Sequence, residues 1–222
     1  MKSASLRVIA AATTAAVALT TMGVASATTA DRPHERPSRA RVTGSAEFGL
    51  PYHPDADVRS FTFDARAVPY SRPIPEAPTG LPTDARGTVK VSHYFAERHR
   101  TVTAEGRVDC LVTGPRTATL TAVITRVDEG GPDWKGRRIG FSVHDGGQDR
   151  GRSSDRVGFS WDVVNVKSPG DEQSEGAETG TCMAPAPYAP VTKGGYTVRH
   201  AELPPVPGSA GRAGRARTTA GE

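Results

Sequence analysis

The chain of 222 residues holds little that announces chemistry. It has two cysteines and no Cys-x-x-Cys, which excludes a dithiol redox motif and a cysteine-built zinc site. No Gly-x-Ser-x-Gly, Ser-x-x-Lys or Cys–His arrangement marks a nucleophile. No glycine loop is spaced to cradle phosphates or a dinucleotide. The six histidines, His34, His53, His93, His99, His144 and His200, form neither His-x-His nor His-Glu-x-x-His. Beyond the first residues there is no long apolar run, and no amphipathic helix of ten residues or more. Nothing in these motifs implies a cofactor. Charge is nearly balanced, 28 basic against 24 acidic residues, so the basic pI does not argue for nucleic acid.

What is present begins with a leader. In "MKSASLRVIAAATTAAVALTTMGVASA", Lys2 and Arg7 precede an uncharged stretch, and Ala25-Ser26-Ala27 fits the small-x-small cleavage pattern. Residues 1–27 therefore read as a secretory signal peptide, too short and too rich in Ala and Thr for a membrane span. The mature chain would start at Thr28, extracellular and with no membrane span. Residues 28–43 and 204–222 carry charge, proline and glycine with almost nothing to bury, and are expected to be disordered. Arginines 212, 215 and 217 make the second tail a weak electrostatic tether or simply a solvated end.

Residues 44–203 are one domain in length, and their apolar pattern has period two. Phe61, Phe63 and Ala65 share a face, with Arg59 in the same phase. Val89, Val91 and Phe95 do likewise, with His93 in phase. Val102, Ala104, Val108, Cys110 and Val112 form the next set, followed by Ala118, Leu120, Ala122 and Ile124. Then come Ile139, Phe141 and Val143; Val157, Phe159, Trp161 and Val163; and Tyr196 and Val198. With "GSAEFG" as an opening strand, this predicts an all-β domain of seven or eight antiparallel strands. Gly106, Gly140 and Gly158 inside the strands favour a single closed barrel, which needs bends; a β-sandwich is the alternative. The inward set mixes Phe61, Phe63, Phe95, Phe159 and Trp161 with alanines, which predicts a mostly filled interior. The five prolines of "PYSRPIPEAPTGLPTD", 69–84, exclude a helix or central strand there. They leave a stiff connection or a proline-rich ligand. A second long connection runs from 167 to 190.

In a secreted chain two cysteines imply a disulfide, Cys110–Cys182, tying a central strand to the second connection. The most site-like stretch is "HDGGQDRGRSSD". Asp145, Asp149 and Asp155 could offer oxygens to calcium. Yet counting from Asp145, the glycine position of an EF-hand loop is Arg150 and its last acid is Arg156. The competing reading is a hairpin turning at Asp145-Gly146, with Asp155 and Arg156 as a solvent pair. His93 and His200 could face the interior and, with Asp64 or Asp109, form an acid–base site at the barrel mouth.

The motifs "GSAEF", "FTFDARA", "ARGTVKVSHYF", "GRVDCLVTGPRTATLTAVIT", "RIGFSVHDGG" and "SSDRVGFSW", in that order over about 44–200, resemble a family of small secreted proteins of actinobacterial type, some labelled repetin-like. The resemblance implies an antiparallel β-barrel and transfers no catalytic residue. The expectation is a monomeric secreted barrel, not an enzyme, meeting an extracellular ligand or protein. A secreted enzyme with its site at the barrel mouth, or a calcium-stabilised structural domain, stands as the alternative.

Overall fold

The computed structural model describes residues 39–147, 154–161 and 177–208. They form eight strands: β1 (Arg41–Phe48), β2 (Val58–Ala67), β3 (Ala85–Phe95), β4 (Arg100–Gly114), β5 (Thr117–Val127), β6 (Arg138–His144), β7 (Arg156–Phe159) and β8 (Ala189–Arg199). Each pairs antiparallel with the next, and β8 returns to β1, so the sheet is a closed barrel in sequence order. The predicted barrel is observed and the sandwich is not. β1 begins at Arg41, inside the segment assigned to the disordered end, because Arg41, Val42 and Thr43 pair with both β2 and β8. No helix among the described residues is long and apolar enough to cross a membrane. The outward positions of the strands carry exposed Asp64, Arg66, Lys90 and Arg107, a polar exterior unlike the apolar band of a barrel in lipid.

Alternation explains the interior. Val42, Phe61, Phe63, Leu120, Ile124, Phe141, Val143, Val157 and Phe159 are all buried there. Phe61 is the hub: its ring centroid lies 4.5 Å from Phe48, 5.3 Å from Phe141 and 5.5 Å from both Phe159 and Trp161. Truncating such a side chain to alanine costs about 3–5 kcal/mol.

Strict alternation fails in β4. Val108 pairs with Ala122 and Cys110 with Thr121, which leaves Asp109 as an extra residue in a β-bulge. The bulge reverses the phase beyond it. Leu111, not Cys110 or Val112, joins the core, and Cys110 is turned to the outer face. There it forms the disulfide with Cys182. The bulge is stabilised from outside: the Asp109 carboxylate accepts from Thr121 Oγ1 (2.5 Å) and Arg138 Nε (2.7 Å), and Arg72 donates to its carbonyl.

Residues 177–188 are a strap laid across the outside of β5, β6 and β7. Arg138 reaches the carbonyl of Thr179, Cys182 N donates to Thr121 Oγ1, and Arg156 donates to the carbonyls of Pro187 and Tyr188. Two strand glycines make the close approach possible. A Cβ on Gly140 would lie 1.9 Å from the Met183 carbonyl oxygen, and one on Gly158 2.4 Å from that of Ala186. These glycines admit the strap; barrel curvature is not their evident task.

Candidate functional site

The two ends of the barrel differ. At the end where β6 turns towards β7, the sequence placed a candidate ion loop. The structure gives its aspartates another use. Among the described residues β7 is short and its register with β8 runs through Arg156–Pro190 and Val157–Ala189, with Val191 N donating to the Asp155 carbonyl, and further along β8 side-chain carboxylates take over as acceptors. Asp155 is buried and accepts from Tyr196 N (2.6 Å) and Gly146 N (2.8 Å). Asp145 accepts from Val198 N (3.0 Å) and Gly147 N (2.9 Å). Tyr196 and Val198 are two residues apart, so their amides point the same way, and the carboxylates take the place of a missing strand. Asp155 is buried and not at the solvent surface as expected, while Arg156 donates to the strap. Asp149 lies outside the described residues. Among those described, no three His, Cys, Asp or Glu side chains are placed to hold a metal ion.

The opposite end, the mouth, is built from the 49–57 connection, the 96–99 turn, the 128–137 connection and Trp161. A cavity of about 500 Å³ lies here. Its apolar wall includes Phe48, Phe61, Val91, Ala104, Trp134 and Trp161. Trp134 and Trp161, the two tryptophans of the chain, face each other with centroids 5.0 Å apart. Trp134 is brought in by a connection folded on itself: Asp128 accepts from Thr103 N and Oγ1, and Trp134 N donates to the Pro132 carbonyl.

A compact polar group borders this wall. Register sets Phe48, Arg59, His93 and Val102 side by side on four adjacent strands. Arg59 and His93 both line the cavity. Arg59 grips Asp55 through both terminal nitrogens (2.8 and 2.5 Å). His93 Nε2 lies 2.7 Å from Asp57 Oδ2, and its ring stacks on Phe95 at 3.9 Å. Asp57 also accepts from Ala96 N at 2.8 Å. The Arg59 hydrogen bonds hold the Asp55 carboxyl down at about 2, with backbone and Coulombic help outweighing its desolvation. The Ala96 amide, and then His93, lower that of Asp57. The result is a fixed polar edge of Arg59 and His93, backed by carboxylates, beside an aromatic wall.

Of the acid–base group expected from the sequence, only His93 is at the mouth. His200 is at the other end, bonded to Thr113 Oγ1 (3.1 Å) and Glu202 (3.0 Å). Asp64 is exposed on the outer face with Arg41, and Asp109 is held in the bulge. That constellation is not assembled. Arg59 was marked by its phase alone, and Asp55 and Asp57 were not singled out from the sequence. The signal was available: "DADVR" repeats the period of Phe61 and Phe63 one turn of the pleat earlier. The interior is filled as expected by Phe63, Leu120, Phe141 and Val143, but at the mouth a cavity remains, with Phe61 in its wall. No family model, curated protein or solved structure matches the chain.

Proposed function

We propose that this is a secreted, non-enzymatic binding protein that takes one small ligand with an apolar, ring-bearing body into the mouth cavity. The observation that carries the reading is the cavity itself. Its volume lies within the about 300–1,000 Å³ usual for small-molecule sites, and its apolar wall carries a few fixed polar groups at one edge. Aromatic side chains would supply contact area, and Arg59 and His93 would orient a polar substituent. The leader-like N-terminus and the disulfide support an extracellular setting.

Both tryptophans line the site, so their emission reports on it. Titration with 1-anilinonaphthalene-8-sulfonate should quench them at one probe per chain. Ala104→Phe, which fills the cavity from β4, should abolish the change while the fold is retained. Unchanged binding to that variant would sink the assignment of the cavity as the site. A second reading is acid–base catalysis at His93, favoured by its 2.7 Å contact with Asp57, an arrangement that fixes tautomer and orientation. Chemical alteration of a bound ligand, lost in His93→Gln, would favour that reading over simple binding.

A further inference from the structure

Four arginines stand in one line across the outside of the barrel, at the end away from the cavity. Arg199 on β8 pairs with Arg41 on β1, Arg41 with Arg66 on β2, and Arg66 with Arg86 on β3. All four are exposed. Adjacent strands are about 4.7–4.9 Å apart, and like charges directly opposite one another destabilise a sheet. This row makes three such pairings in succession. Of these four, Arg41 alone has a carboxylate partner among the described residues, Asp64 at 3.0 Å. The next outward row is Thr197, Thr43, Asp64 and Thr88, followed on β4 by Arg107. With the chain's small net charge, this is a concentration of one sign and not a general basic character.

We infer that the Arg199–Arg41–Arg66–Arg86 row is a docking surface for a flexible, linear phosphodiester polymer. Three features select that occupant. The planar guanidinium fork matches the paired oxygens of a phosphodiester and keeps its charge at every accessible pH, and all four positions are Arg with no Lys among them. The row follows the barrel's curvature over four of eight strands, so its side chains fan outward along a convex belt. A flexible chain can wrap such a belt, whereas a flat bilayer meets only part of it, and the 68–84 and 200–208 segments lie beyond the row at that end. No aromatic side chain stands in this row or the next, so nothing there would stack bases, and the contact would be to backbone phosphates alone. The inference uses none of the mouth residues and stands or falls apart from the ligand reading.

The test is binding of poly(glycerol phosphate) to the full chain lacking its leader, over a range of salt. Engagement of four phosphates should give a slope of log K against log salt of about −3. Arg66→Gln/Arg86→Gln should reduce that slope to about half, while its melting temperature stays level or rises as like-charge pairs are removed. Absence of binding at low salt, or a slope unchanged in the double variant, overturns the proposal. Phosphatidylglycerol vesicles binding where the polymer does not would replace it with a membrane surface. Polygalacturonate binding as tightly as the phosphodiester would overturn the phosphate assignment.

Discussion

Each end of the barrel is organised by a pair of aspartates, and the two pairs do different work. Asp145 and Asp155 point at backbone amides and complete the sheet where β7 is too short to do so. Asp55 and Asp57 point at Arg59 and His93, side chains that line a cavity. A carboxylate bound to amides closes a structure. A carboxylate bound to other side chains holds them in place while leaving room beside them. One pair completes the sheet and the other furnishes a cavity, from the same residue type.

The largest expected effect lies with the strap on the outside of the barrel. Cys110→Ser with Cys182→Ser opens a loop of 72 residues, which in the chain-entropy model should cost about 4 kcal/mol in denaturant unfolding. Probe binding at the mouth should persist, because the strap lies outside the barrel. Next, Asp155→Ala should cost about 3 kcal/mol, since two amides lose a charged acceptor in a buried place, against about 1 kcal/mol for Asp55→Ala at the partly exposed mouth. Equal costs would erase the contrast between the ends. A smaller effect follows from acid. The Asp55 carboxyl is lowered from 3.8 to about 2 on folding, and that of Asp57 is lowered too. Their stabilisation is therefore complete above about pH 4 and is lost as pH falls towards 2. Melting temperatures of Asp55→Asn should fall less steeply over that range than those of the parent chain. The smallest is a null result: with Asp145 and Asp155 occupied by amides, melting in EDTA and in millimolar calcium should coincide, and an upward shift in calcium would reopen the ion loop.

The barrel was legible because period-two alternation is a local signal and eight segments repeat it. Cys110 and Val112 were assigned to the interior because a bulge is invisible to alternation. The extra residue, Asp109, is polar and sits where an outward residue was expected, so the phase change leaves no mark until Leu111 is seen in the core. Gly140 and Gly158 were read as bends because a strap crossing the outside arrives from about 40 residues further along the chain than Gly140. The mouth was half legible. Arg59 and His93 stood out as polar residues in apolar phase, but their partners lie on a connection whose course no strand pattern fixes. The arginine row could not be seen in the sequence at all, because it exists only once four strands are set in register.

β1 and β8 are neighbours, and Arg41 pairs with Arg199. The chain thus enters the barrel and leaves it at one place, beside the arginine row and opposite the cavity. A molecule held there, by either end of its chain or by a polymer along that row, is displayed like a cup on its base, with the opening turned to the medium. Because Arg41 and Arg199 are register partners, a short linker should suffice to join the first and last strands of the barrel.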